Sequence, residues 1–123
     1  MVTLTPKRLI PQIIYRGATF RGRLAITNTD GTVKNLTGAA VRWQLFDAED
    51  LAMFSPEKSL GSGIAAEGGD LTPGVLLVDV DNDETENLGA ADYTQEWFIT
   101  DSAGDVQIYR GQITIAKALM WVP

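Results

Sequence analysis

Ile26-Thr27-Asn28-Thr29-Asp30-Gly31-Thr32-Val33 and Ile99-Thr100-Asp101-Ser102-Ala103-Gly104-Asp105-Val106 repeat one local chemistry in two distant parts of the chain. In each, a β-branched pair closes an apolar run and Asn28 or Asp101 opens a turn by bonding its own backbone. Gly31 or Gly104 then stands where a positive φ costs least. Both read as strand, turn, strand. Two hairpins so far apart must bury their apolar faces on something, and the sequence between them has the same short-strand texture. The expected architecture is therefore an all-β, two-sheet sandwich.

Working outward, Thr19 to Thr27 alternates Phe20, Leu24 and Ile26 against Thr19, Arg21, Arg23 and Thr27, a half-buried strand in which Gly22 marks a close approach or a bulge. Ala40 to Asp47 alternates Val41, Trp43 and Leu45 against Arg42, Gln44 and Phe46, with Trp43 the leading core candidate. Ala48 to Ser62 reads as irregular, anchored by Leu51, Met53 and Phe54, and Pro56 demotes any strand there to an edge. Ile64 to Glu67 is a short strand, Gly68-Gly69-Asp70 its turn, and Val75 to Val80 a strand of high β propensity. Asp83, ahead of Glu84 and Glu86, predicts one helical turn over Asp83 to Leu88. Tyr93 to Thr100 places Tyr93, Gln95, Trp97 and Ile99 on one face. Val106 to Ile115 closes the domain, with a bulge expected at Gly111. Trp43 and Trp97 are expected to be buried and to pack together between the sheets.

The 123 residues make a single domain, read as an arm (1–15), a sandwich (16–116) and an apolar tail (117–123). Cysteine and histidine are both absent. Disulfide frameworks, thiolate or imidazole metal sites and Ser-His-Asp or Cys-His nucleophile systems are thereby excluded. The N-terminal order of charges is wrong for a secretory signal, and no apolar run is long enough to span a membrane, so a soluble protein is expected. The net charge of −6 argues against nucleic acid as a partner. That charge is uneven: residues 1–42 sum to +6 and the remainder to −12.

Asp79-Val80-Asp81-Asn82-Asp83-Glu84-Thr85-Glu86 begins like a calcium loop. It fails at Glu84, where the loop needs glycine, and at Ala90, where it needs a closing Glu, so it reads as a strand end entering a helix cap. No carboxylate pair is singled out for glycoside hydrolysis, and Gly61-Ser62-Gly63 and Gly68-Gly69 lack the lysine and long helix of a phosphate loop. The expectation is a non-enzymatic protein with no cofactor and no metal. Tyr15, Phe46, Phe54, Phe98 and Tyr109 are the rings that would serve a carbohydrate-binding module, the alternative reading.

The order of features has its own meaning. Gly17, Thr19 and Phe20 are followed by Asn35-Leu36-Thr37-Gly38-Ala39 and Val41-Arg42-Trp43, then Pro73-Gly74-Val75. A corner of Thr85, Leu88 and Tyr93 comes next, then Thr100-Asp101-Ser102-Ala103-Gly104 and Arg110-Gly111-Gln112-Ile113-Thr114-Ile115. Over residues 17–115 this resembles the immunoglobulin-like domains of tailed-phage virion and prophage proteins, similar to the N-terminal domain of baseplate upper proteins. It departs from the pattern at Ala91, where the family usually has glycine. The resemblance implies an immunoglobulin-like antiparallel sandwich with one helical turn and extended terminal arms. It also implies a structural or adaptor role in a virion (tail, baseplate, connector or capsid-associated), the protein being made in the host cytoplasm. Its partners would be other virion proteins and further copies of itself. The candidate assembly residues are the apolar Ile10, Ile13 and Ile14 of the arm and Leu119, Met120, Trp121 and Val122 of the tail, with Arg21 and Arg23 supplying basic charge.

Overall fold

The structure, a computed structural model, describes residues 7–47, 53–86, 88–89 and 91–117. In chain order the elements are β1 (Lys7–Arg8), β2 (Gln12–Tyr15), β3 (Phe20–Ala25), β4 (Ala40–Asp47), β5 (Met53–Leu60), β6 (Gly63–Ala66), β7 (Val75–Val80), a helical turn α1 (Asn82–Glu86), β8 (Ala91–Thr100) and β9 (Val106–Ala116). The fold is all-β. The described strands form one hydrogen-bonded sheet in the order β1-β9-β8-β4-β5-β6-β7-β3, and β2 continues the β1 edge along β9.

The sheet is mixed, not wholly antiparallel as expected. β1 and β2 run parallel to β9, and β5 runs parallel to β6 through a joint of only two residue pairs, Ser59 with Gly63 and Leu60 with Ile64. The parallel arm follows from geometry: Ala18 N–H closes a turn on Tyr15 O, so the chain leaves β9 at Tyr15 and crosses to start β3 beside β7. Gly61 and Gly63, both at positive φ, permit the sharp turn at the joint. There the sheet curls, bringing the Phe20 ring of β3 to 6.4 Å from the Trp43 ring of β4, although three strands separate them in sheet order.

A single core fills the curl, built by inward alternation: Phe20 and Leu24; Val41, Trp43 and Leu45; Leu76, Val78 and Val80; Tyr93, Trp97 and Ile99; Tyr109, Ile113 and Ile115. Trp43 and Trp97 are both buried and close to one another, as expected, but as directly paired neighbours on adjacent strands of one ladder and not from opposed layers; the ring that approaches Trp43 from β3 is Phe20. Period two tells which residues point inward, and strand pairing alone decides which of them meet.

Four further expectations change on contact with the structure. The second hairpin forms, with Gly104 at positive φ and Thr100 paired to Val106. The first is much shorter, a single bridge of Thr27 with Val33 flanked by Asn28 N–H to Thr32 O and Lys34 N–H to Ile26 O, after which the chain runs on to β4. Residues 53–60 are a strand, and the ladder accommodates Pro56 by a register shift, Gln44 pairing Glu57 and Leu45 pairing Phe54. The ladder at Gly111 runs without a bulge, and Gly22 likewise sits in an unbroken register and is a close approach. The helical turn starts earlier than expected. Glu84 accepts from Asp81 N–H as in a capping box, and buried Thr85 donates to Ala18 O, tying the helix to the turn before β3. Tyr93 Oη–H donates to Gly89 O at 2.9 Å, so the corner closes with Ala91 in place of glycine.

Candidate functional site

Among the described residues the two ends of the strand order have no further strand beside them, and both come from the basic first third of the chain. One is the β1–β2 edge. Leu9 N–H bonds Arg110 O at 2.6 Å and holds the arm onto β9 at Gly111, where an added Cβ would lie 2.7 Å from the Leu9 Cβ. Gly111 is thus glycine so that the arm can cross it. Pro11 then interrupts pairing and leaves Ile10 82% exposed. In β2 the alternation turns Ile14 into the core at 8% exposure and Ile13 and Tyr15 outward at 68% and 57%.

The second edge is β3, whose partner strand is β7. Arg21 and Arg23 project outward to Asp79 at 2.9 Å and Glu67 at 2.8 Å, in exposed pairs that contribute little to stability. Ile26 N–H bonds Gly74 O, which sets the alternation of the ladder. Leu24, Gly22 and Phe20 direct their backbone groups at β7, and the N–H and C=O of Arg21 and Arg23 are directed at the open edge.

Between these edges lies a cleft of about 240 Å³. Its walls are Arg8, Leu9, Ile10 and Gln12 on one side and Phe20, Gly22, Arg23 and Leu24 on the other, with Gln95 and Trp97 of β8 between. Gln95 is held in place by the buried Trp43 Nε1–H, which donates to its Oε1 at 3.0 Å. The lining contains two arginines and no carboxylate.

Two further acidic side chains form ion pairs away from the cleft. Glu84 takes Lys58 Nζ on both oxygens at 2.7 and 2.9 Å. Lys34 Nζ donates to Asp101 at 2.8 Å, joining the two glycine turns, and that bond, with the Asp105 and Ala103 N–H donors, holds the Asp101 carboxyl below its ordinary range. Hydrogen bonds from Thr32 and from Thr72 likewise lower Asp30 and Asp70, and burial raises the Tyr109 phenol. Among the described residues no cluster of acidic side chains could hold a metal ion, and no helix is long and apolar enough to cross a membrane. Two of the candidate sugar-stacking rings already carry cations: Lys7 Nζ lies 5.3 Å from the Tyr109 centroid and the Arg42 guanidinium 5.4 Å from that of Phe98.

Of the residues read as assembly candidates, Ile10 and Ile13 are exposed on the arm edge and Arg21 and Arg23 on the β3 edge, the two sides of one cleft. Ile14 is the exception, because the alternation of β2 gives its side chain to the core. Leu119, Met120, Trp121 and Val122 lie outside the described residues. Sequence reasoning did not connect Arg8 of β1 or Gln95 and Trp97 of β8 to these positions, because pairing and curl bring those two strands beside β3. No protein-family model matches this sequence, and no curated protein matches it.

Proposed function

We propose that the protein is a non-enzymatic assembly module, a structural or adaptor component of a tailed-phage virion that joins its neighbours through the edges of its sheet. The observation that carries the assembly reading is the outward pair Ile13 and Tyr15, with Ile10 beside them, on a strand that is an edge of the sheet among the described residues. Exposed apolar side chains on an open edge are what natural sheets ordinarily avoid unless something docks there. The virion setting comes from the resemblance of residues 17–115.

An immunoglobulin-like sandwich is the finer architecture we assign to the curled sheet. Supporting it are the division at the two-pair β5–β6 joint, the parallel first strand on the last, the buried Trp43 on β4 and the Tyr93 corner ahead of Gln95. Sedimentation of the full chain, alone and with proteins extracted from purified particles, tests assembly; mass spectrometry of those particles tests the virion setting. Ile13→Ser with Tyr15→Ser should keep the melting temperature and lose association. A chain absent from particles overturns the virion setting. Unaltered sedimentation of the double variant overturns the arm edge as the contact. Binding on a glycan array, abolished by Tyr15→Ser, would favour the carbohydrate reading instead.

A further inference from the structure

We infer that the cleft between β3 and the β1–β2 edge is the seat of an extended segment from a different protein, alternating apolar and acidic side chains, which adds to β3 as an extra strand. The inference rests on the assembly reading above and names its site and the chemistry of its partner. Three observations converge there. The backbone groups of Arg21 and Arg23 face the opening, which gives an incoming strand its ladder. Half-buried Leu9 and exposed Ile10 offer apolar contact to alternate side chains of that strand, with the buried Phe20, Leu24 and Trp97 forming the wall behind them. At about 240 Å³ the cleft is smaller than the cavities that enclose drug-sized ligands, and suits inserted side chains.

Charge selects the partner. The two edges, residues 7–16 and 20–25, hold Lys7, Arg8, Arg16, Arg21 and Arg23 and no acid. Arg21 and Arg23 are paired to Asp79 and Glu67, Lys7 lies over the Tyr109 ring and Arg16 donates to Glu86 O, so among the described residues Arg8 is the cation of the cleft wall left without an acidic partner. A second copy presents the same basic edge, and pairing β3 with β3 or with the arm sets arginine beside arginine or lysine. An acidic strand meets no such repulsion.

The test uses the full chain and the blocked synthetic peptide Val-Glu-Val-Glu-Val-Glu-Val, against its lysine counterpart and two versions methylated at alternate backbone nitrogens. The glutamate peptide should bind saturably and slow amide hydrogen exchange at Arg21 and Arg23, and the lysine peptide should bind at least about tenfold more weakly. At least one methylated version should fail to bind, because it lacks the donors for the ladder. Arg8→Glu with Arg23→Glu, both at the surface, should weaken binding by a similar factor while leaving the melting curve intact. Absence of saturable binding, equal binding of the lysine peptide, binding of both methylated versions, or protection confined to residues outside β3 would each overturn the inference. So would concentration-dependent protection of Arg21 and Arg23 in the protein alone, which would make a second copy the occupant. The result is independent of the virion setting: a chain found in particles that ignores the peptide refutes the strand seat alone, and a chain absent from particles that binds it refutes only the setting.

Discussion

Replacing Gln95 by Leu removes the acceptor for the Trp43 indole. Gln95 and Trp43 are both almost fully buried, and the Nε1–H to Oε1 distance is 3.0 Å. Leu has similar bulk, so the main loss is the bond itself, worth about 1 kcal/mol net, with a further cost for an indole N–H left buried and unpaired. The expected total is about 1–3 kcal/mol. In a chain this size that is a fall in melting temperature of roughly 3–6 °C per kcal/mol. Trp43→Phe removes the donor instead, and Trp43→Phe combined with Gln95→Leu removes both. The double-mutant cycle should return a coupling energy of about 1 kcal/mol, because in the double variant neither group is stranded. Urea unfolding of all four proteins by far-ultraviolet circular dichroism, at constant m-value, measures it without depending on tryptophan emission. A Gln95→Leu protein within about 0.3 kcal/mol of the parent, with a coupling energy indistinguishable from zero, would show that the bond does not position the floor of the cleft.

Trp43→Ala and Trp97→Ala should each cost about 3–5 kcal/mol in urea unfolding, enough to leave a domain of ordinary margin largely unfolded. Gly111→Ala should leave the β8–β9 ladder intact but lift Leu9 from β9, costing about 1–2 kcal/mol once overpacking is set against the backbone gain; the check is faster proteolysis within residues 7–15. Asp101 has its folded pKa lowered, chiefly by the Lys34 hydrogen bond, so its contribution is present above the unfolded value near about 3.9 and is lost as pH falls through the folded value. Asp101→Asn should therefore lower stability near neutrality and flatten its decline in acid, as read by melting temperature against pH.

Much of the strand content was legible from residue type. β4 and β7 begin and end where alternation of Val41, Trp43 and Leu45 and the run Val75 to Val80 place them, since side chains that point to opposite faces in turn must alternate in polarity when one face is buried. The glycine turns at Gly31 and Gly104 were legible for the same local reason, the low cost of a positive φ. β5 was not: Pro56 argues against a strand, and only the register shift opposite Gln44 and Leu45 shows how the ladder passes it. Gly111 carries no local mark that Leu9, far back in the chain, must cross it.

The candidate site divides in the same way. Sequence alone identified Ile10, Ile13, Arg21 and Arg23 as apolar and basic positions near the start of the chain, and composition removed the chemistry that needs histidine or cysteine. Tertiary structure decided that Ile14 belongs to the core, that the arm runs parallel along β9, and that this edge and β3 become the two sides of one cleft floored by Gln95 and Trp97. Polarity and period are properties of a residue and its near neighbours, so they can be read along the chain. Which edges stay open, and what they face, depends on strand order and on the curl of the whole sheet, to which every strand contributes and which no single stretch encodes.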